Sequence, residues 1–545
     1  MENRIYQILK DLVACRSISA TPMEPGADRY VYAFLKKIPY FQKHPDQIGL
    51  YQVPSDPFGR TIPYALLLGK SRKTTILSGH IDVVSTEVYG EAEDLACSVG
   101  PELEAKLASM NLSEEQRKDM ESGEWIWGRG TCDMKGGMAI AMALLEDFAT
   151  QAEEGRLEGS ILFSAVPDEE SYSTGMRVIS PVYRALKEKY DLDFRLLIDP
   201  EPANVIDGEQ VMSLGTIGKT VPVIMVQGEL AHVGHPYNGI SPLNILTALY
   251  RKTQGSLDFV DICEEESSMP PSWQNLRDMK DLYDASIPFR AAGYLTVLSF
   301  DRPMTSLISQ CRDLALEAFA EEVERLNSQY QEFKKMNKFA VKDRLYYEPL
   351  CYTVKDLCEE LRQRNQDGFD SFYQKLKGEA EEKVLKGESY PDATLYMMKG
   401  LMDYADIKRP YVLIGVAPPY YPPTHSDRIE GREGYGRKVY EFAKKISEEQ
   451  FGQPLAYENY FTGISDNSYT SLPEGDTSEV AAFYPMWGRY YNLDFESIRA
   501  ISVPSILYGP IGREYHQWTE RVNKKSLLEV MPEMIRQVTA FAWKN

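Results

Sequence analysis

The sequence predicts a larger α/β domain with a mixed sheet between helices, and a smaller α+β domain inserted into it. Three observations predict this. Apolar runs at 75–77, 161–167 and 194–198 each lead into acids or a histidine, which places polar groups at strand C-termini, where open α/β sheets bind ligands. Strand patterns at 220–227 and 293–300, with helical patterns at 241–253 and 305–337, form a separate set of strands and helices. At 545 residues the chain is too long for one ordinary core, so two domains are expected. The boundaries read as 1–216 for the first catalytic part, 217–352 for the insertion and 353–545 for the second catalytic part.

The N-terminus begins with a helical stripe of Ile5, Ile8, Leu9, Leu12 and Val13, the spacing of one buried helix face. The next signal is KTTILSGHIDVV at 73–84. Thr75-Ile76-Leu77 is a strand core, and His80 and Asp82 follow at its C-terminal end. They alternate, so both face one side of an extended chain. One can bind a metal while the other holds the imidazole in its tautomer. Residues 91–124 are charged and read as an exposed loop and helix.

The stretch Trp127 to Gly137 (WGRGTCDMKGG) is rich in glycine on both sides of Asp133. It reads as a tight loop between a short strand at 125–127 and a helix at 138–151, where the backbone tolerates close approach. The apolar strand 161–167 runs into Asp168, Glu169 and Glu170. Three acids at a strand end repel one another unless a cation offsets them. A fourth strand, 194–198, ends in Asp199-Pro200-Glu201-Pro202. One such end is an ordinary solvated turn; four strands delivering an acid or histidine to the same kind of position point to a metal site.

The insertion starts near Gly215-Thr216-Ile217-Gly218. The strand 220–227 leads to GELAHVGHP with His232 and His235, and a serine caps the helix 241–253. Residues 352–406 are charged and helical, with a loop near 365–368. The catalytic fold resumes with the strand 410–416 and the proline-rich stretch 417–423.

SGHIDVV, GRGTCDMKGG, PDEE and a strand ending in Glu-Pro resemble the zinc-dependent amidohydrolases and exopeptidases of the aminoacylase, glutamate carboxypeptidase and succinyl-diaminopimelate desuccinylase type. The segment Ser505 to Pro510 followed by His516 resembles that family's last strand and ligand. Length and the long middle look most like the arginine-utilisation (RocB-like) branch. The resemblance implies a zinc-exopeptidase-like catalytic domain with a lid/dimerisation domain. It implies two Zn²⁺ per subunit, Co²⁺ or Mn²⁺ also suiting the donors. Asp133 would bridge them, with His80 and Glu201 on one and Glu170 and His516 on the other; Asp199 is the alternative to Glu201. Glu169 would be the general base, Asp82 the partner of His80, and His232 an oxyanion donor from the partner subunit of a homodimer. Arg290 and Arg302 are candidates for binding the substrate carboxylate. The substrate implied is a small N-acyl amino acid or peptide, in the context of arginine or other amino-acid breakdown.

Composition agrees. Hydrophobic residues make up 43% and charged residues 26%, values of an ordinary globular protein. The net charge of −21 argues against nucleic acid and anionic membranes as partners. No N-terminal apolar signal segment and no run long enough to span a bilayer is seen. Seven cysteines without paired spacing read as reduced, cytoplasmic thiols. Of the six histidines, His44 reads as a surface residue and His425 as a loop residue. Two further readings stand beside the hydrolase. One is a non-catalytic metal-binding or regulatory protein on the same scaffold. The other is a cysteine hydrolase using Cys132, whose base and oxyanion hole the sequence does not supply; packing is the preferred role of that thiol. Asp466, in GISDN, reads as structural rather than as a ligand.

Overall fold

The computed structural model describes every residue except 339, 341, 342, 473–476 and 478. The chain forms two compact units. The first comprises Met1–Ile217, Pro422–Leu472 and Leu493–Asn545, and the second Gly218–Tyr421 and Pro473–Asn492.

The first unit is built on a nine-stranded mixed sheet. Its centre is parallel: Ser160–Val166, Lys73–His80, Asp193–Asp199 and Ser505–Leu507 lie side by side in that order. Thr61–Leu67 and Ile48–Gln52 extend one side antiparallel. Glu209–Ser213 joins the other side antiparallel, and Leu455–Glu458 pairs parallel with it. The central strands are buried on both faces, as parallel strands covered by helices are. Alternation sends Leu77, Phe163 and Ile198 into the core shared with Glu2–Ala14, Lys135–Glu153 and Met531–Lys544. Ser78 and Ser164 face the other way, where Oγ of Ser164 lies 2.5 Å from the Tyr183 hydroxyl of helix Thr174–Tyr190. The sheet therefore lies between helices, and the expected N-terminal stripe is fully buried.

The 91–124 region is mostly exposed or half-buried, as expected, but is more ordered than a loop and one helix. It holds two helices, Pro101–Ala108 and Glu114–Ser122. Leu103 and Leu107 are buried with Tyr89, Trp125 and Trp127 in a small core of their own. Two leucines one turn apart on a short charged helix are enough to anchor it.

The second unit carries a five-stranded sheet in the order Ser272–Asp278, Arg290–Ser299, Gly218–Gln227, Tyr411–Tyr421 and Cys351–Thr353. Only the last pairing is parallel. Helices Pro242–Thr253, Met304–Met336, Val354–Arg364, Gln366–Leu385 and Tyr390–Ala405 complete it. The sequence reading placed 353–421 in the catalytic domain. The structure places it in the second unit, because Tyr411–Tyr421 pairs with Gly218–Gln227 (Ile224 opposite Ile414). The three helices before it bury Leu357, Phe369 and Leu401 with Val223 and Leu413 in one core. No helix among the described residues is long and apolar enough to cross a membrane.

Candidate metal centre

His80 closes the strand Lys73–His80 and is fully buried. Its Nδ1 lies 3.1 Å from the main-chain oxygen of Asp82. That oxygen can only accept, so Nδ1 carries a proton and Nε2 is the ring atom turned towards the acids. Nε2 stands 3.1 Å from Oδ1 of Asp133, 3.5 Å from Oε1 of Glu201 and 4.0 Å from Oε2 of Glu169. Asp133 lies on the glycine-rich turn two residues before helix Lys135–Glu153. Its other oxygen, Oδ2, is 3.2 Å from Nε2 of His516, which is also 3.1 Å from Oε2 of Glu170.

Two groups result, His80–Asp133–Glu201 and Asp133–Glu170–His516, each with its ligand atoms within 4.8 Å of one another. Asp133 is common to both. The backbone approaches closely here. A Cβ on Gly137 would stand 1.9 Å from the carbonyl oxygen of Pro200, and one on Gly509 would stand 2.2 Å from that same atom. Only glycine at both positions lets the Asp133 helix and the segment before His516 close on the Glu201 turn.

The electrostatics favour a cation. Burial alone would lower the His80 pKa, yet the carboxylates of Glu201, Asp133 and Asp82 hold it well above the ordinary imidazole value. Hydrogen bonds with Asp133 and Glu170 raise His516 to about 10. Burial pushes Glu169 and Glu201 well above the usual carboxylate range, and neighbouring acids add to the rise. For Asp133 burial works upward, but the two histidines outweigh it and hold the carboxyl below its ordinary value. Oδ1 of Asp199 is buried and accepts no hydrogen bond among the described residues. Acids massed this way in a largely buried site are costly unless positive charge joins them. Two imidazoles and three carboxylates in two groups form the mixed N/O donor set of a divalent transition metal. The residues fit the ions that the sequence pattern calls for.

The remaining sequence candidates fall as follows. Asp82 is fully buried, and its Oδ1 and Oδ2 accept from the main-chain N–H groups of Glu169 (3.2 Å) and Glu170 (3.3 Å). Asp199 lies outside both groups; its Oδ2 accepts from Ser465 Oγ at 3.4 Å. Asp466 is buried beside Asp199, and burial raises its pKa to about 7. His232 belongs to the second unit, exposed, with Nδ1 accepting from the Gly234 N–H at 3.0 Å and the His235 ring 6.2 Å away. Arg290 pairs with Asp403 (2.6 Å) and Arg302 with Asp261 (2.7 Å), so both guanidinium groups already serve the second unit's own fold. Cys132 is fully buried, and burial pushes its thiol well up, which removes the thiolate a cysteine hydrolase needs. His425 is buried rather than a plain loop residue, its ring against Tyr460 at 4.9 Å.

Arg60 is the residue that the sequence reading passed over. It is buried, 2.6 Å from Asp168 and 3.1 Å from Glu24. It neutralises the acid immediately before Glu169 and Glu170. No spacing rule signals it, since an isolated arginine before a strand looks like any surface cation.

Comparison with known proteins agrees with this geometry. The model of Peptidase family M20/M25/M40 matches residues 76–542. The chain is 29% identical over 541 residues to the uncharacterized protein YqjN of Bacillus subtilis (strain 168), covering 98% of this chain and 95% of YqjN. It is 26% identical over 547 residues to protein RocB of the same organism, covering 98% and 94%. Among solved structures, a M20 family metallo-carboxypeptidase from Sulfolobus solfataricus superposes with a TM-score of 0.51 at 12% identity, over 99% of this chain and 100% of that one. At that identity the likeness is one of fold: a zinc-exopeptidase-like domain with a smaller domain inserted. The chain belongs to Peptidase family M20/M25/M40, as a metal-binding hydrolase.

Proposed function

We propose that the protein hydrolyses an amide or peptide bond of a small N-acyl amino acid or peptide, with two Zn²⁺ per subunit. His80, Asp133 and Glu201 would hold one ion, and Asp133, Glu170 and His516 the other. The observation that carries this reading is the division of Asp133, one oxygen turned to His80 at 3.1 Å and the other to His516 at 3.2 Å. The ions would supply Lewis-acid polarisation of the scissile carbonyl and would acidify a water at the site, and Co²⁺ or Mn²⁺ would also suit the donors.

The chain's own residues then divide the work. Glu169, 4.0 Å from His80 Nε2, takes the proton of the attacking water and returns it to the leaving nitrogen. Asp82 keeps the His80 ring oriented and ties down the backbone of the acidic turn. His232 donates to the developing oxyanion. By the family resemblance it does so from the partner subunit of a homodimer built through the second unit, which makes that unit the lid and the first unit the catalytic domain. A role in arginine or other amino-acid breakdown in the cytoplasm belongs to the same proposal, supported by similarity to the RocB-like branch.

The test is metal analysis of protein purified without chelator, joined to a screen of N-acyl amino acids and dipeptides with added Zn²⁺, Co²⁺ or Mn²⁺. Two metal equivalents and turnover of one substrate class are expected. Protein that carries and takes up no divalent metal would favour the binding or regulatory alternative.

A further inference from the structure

Asp133 and His516 ride on two loops distant in sequence, and one buried ion pair lies between those loops. Oε1 of Glu520 accepts from the main-chain N–H groups of Cys132 and Asp133, both at 3.3 Å. Its Oε2 takes NH1 of Arg129 at 2.5 Å. NH2 of Arg129 donates to the main-chain oxygen of His516 at 2.9 Å and to that of Ser85 at 3.2 Å. The Gly128 N–H donates to the main-chain oxygen of Glu520 at 3.1 Å. Both side chains are 1% exposed. Neither offers an atom to the two groups of candidate ligands.

We propose that Arg129 and Glu520 are a positioning pair that sets Asp133 and His516 against one another, so that both metal sites depend on an ion pair supplying no ligand atom. The proposal rests on the metal reading above. The chemistry of the contacts supports it. Two successive N–H groups make a small anion cradle, and Glu520 fills it, which fixes the backbone that presents Asp133. The guanidinium is a rigid fork, so one arginine meets the Glu520 carboxylate and the His516 carbonyl in a fixed relation. His516 has φ +63°, a left-handed conformation uncommon for residues other than glycine. The bond from Arg129 to its carbonyl helps to hold it there. The Ser85 contact carries the same fork to the segment that follows His80 and Asp82.

The test titrates metal-free full-length protein with Co²⁺ alone, following its visible absorption and stoichiometry. Wild type is compared with Glu520→Gln, Arg129→Met, the double variant, and Val538→Ala as a core control away from both loops. Wild type is expected to take two Co²⁺. Glu520→Gln is expected to weaken binding about tenfold to a hundredfold and to change the absorption band. The double variant should be no weaker than the worse single variant, the non-additivity of residues acting as one unit. Val538→Ala should stay within twofold of wild type even when its loss of Tm is the same. Should the uncompensated charge prevent folding of a single variant, Arg129→Lys keeps the charge, loses the fork and carries the same expectation. Binding by the variants within twofold of wild type, or a loss equalled by Val538→Ala, overturns the positioning pair alone. A wild type that binds no Co²⁺ overturns the metal reading and this proposal together.

Discussion

The main-chain N–H of Glu169 donates to Oδ1 of Asp82 across 3.2 Å. Asp82 thus holds two things at once, since the same oxygen stands 3.5 Å from Nδ1 of His80. The side chain joins the main-chain oxygen of Asp82, 3.1 Å from Nδ1, in orienting the imidazole, and it also places the acidic turn. Asp82→Ala should therefore lower kcat more than loss of a single ring partner, by about a hundredfold, with weaker metal retention. Steady-state kinetics with metal analysis check this; a variant with wild-type kcat at full metal occupancy would show that Asp82 does not hold the site.

Glu169→Gln separates proton transfer from metal holding. The amide keeps the size of the side chain and cannot take a proton from water. Turnover should fall by at least about a hundredfold to ten-thousandfold, with metal content unchanged. Retention of more than a small fraction of wild-type kcat would reassign the base.

Chelation should destabilise the fold as well as stop the reaction. Glu201, Glu170 and Asp133 repel one another when no cation joins them. A ligand bound only by the folded state adds stability of about 4 kcal/mol at a thousandfold excess over Kd. Tm should drop by several degrees on removal of metal and return when Zn²⁺ is restored. A Tm indifferent to chelator, in protein shown to have lost its metal, contradicts the assignment.

His425 gives the pH dependence a sign. Burial holds its pKa below the ordinary value, with Arg428 and Arg437 acting the same way, while Asp427 and Asn459 act oppositely. Below about pH 6.5 the unfolded chain takes up a proton that the folded chain refuses. Stability should then fall as pH drops from about 6.5 towards the folded pKa, and His425→Gln should flatten that part of the profile. Denaturant unfolding of both proteins from pH 7.5 to 5 decides it; identical profiles refute the buried neutral imidazole.

Sharing of sites between subunits is open to complementation. Inactive Glu169→Gln mixed with inactive His232→Ala should regain activity, because one site of each mixed dimer would carry both groups. No recovery after demonstrated subunit exchange, or a monomer by light scattering, ends the shared-site idea.

The strand-borne part of the candidate site is legible because the signal is local. His80, Glu170 and Glu201 each follow an apolar run whose length and burial a short window reveals, and Asp133 is framed by glycines. His516 needed the resemblance, since a histidine six residues after Gly-Pro has no spacing rule of its own. Residues 353–421 were assigned to the wrong unit because charged helices do not announce which sheet they cover; that depends on Ile224 meeting Ile414, a pairing between strands far apart in sequence. Arg60 stayed invisible for the same reason, its partner Asp168 lying on another strand end.

The position of Ser505–Leu507 in the first sheet has a consequence for biosynthesis. This strand fills the place beside Asp193–Asp199 and reaches Glu209–Ser213 on its other side. Until it emerges from the ribosome, Asp193–Asp199 is an edge with free backbone donors and acceptors, the form most prone to pair with other chains. The inserted unit is synthesised in the interval and, having its own sheet and core, can fold while the first unit waits. Assembly of the first sheet therefore waits until this strand has been made, and closing so long a loop is slow. A nascent chain stalled short of residue 505 exposes that edge and lacks His516, so one of its two groups of candidate ligands is incomplete.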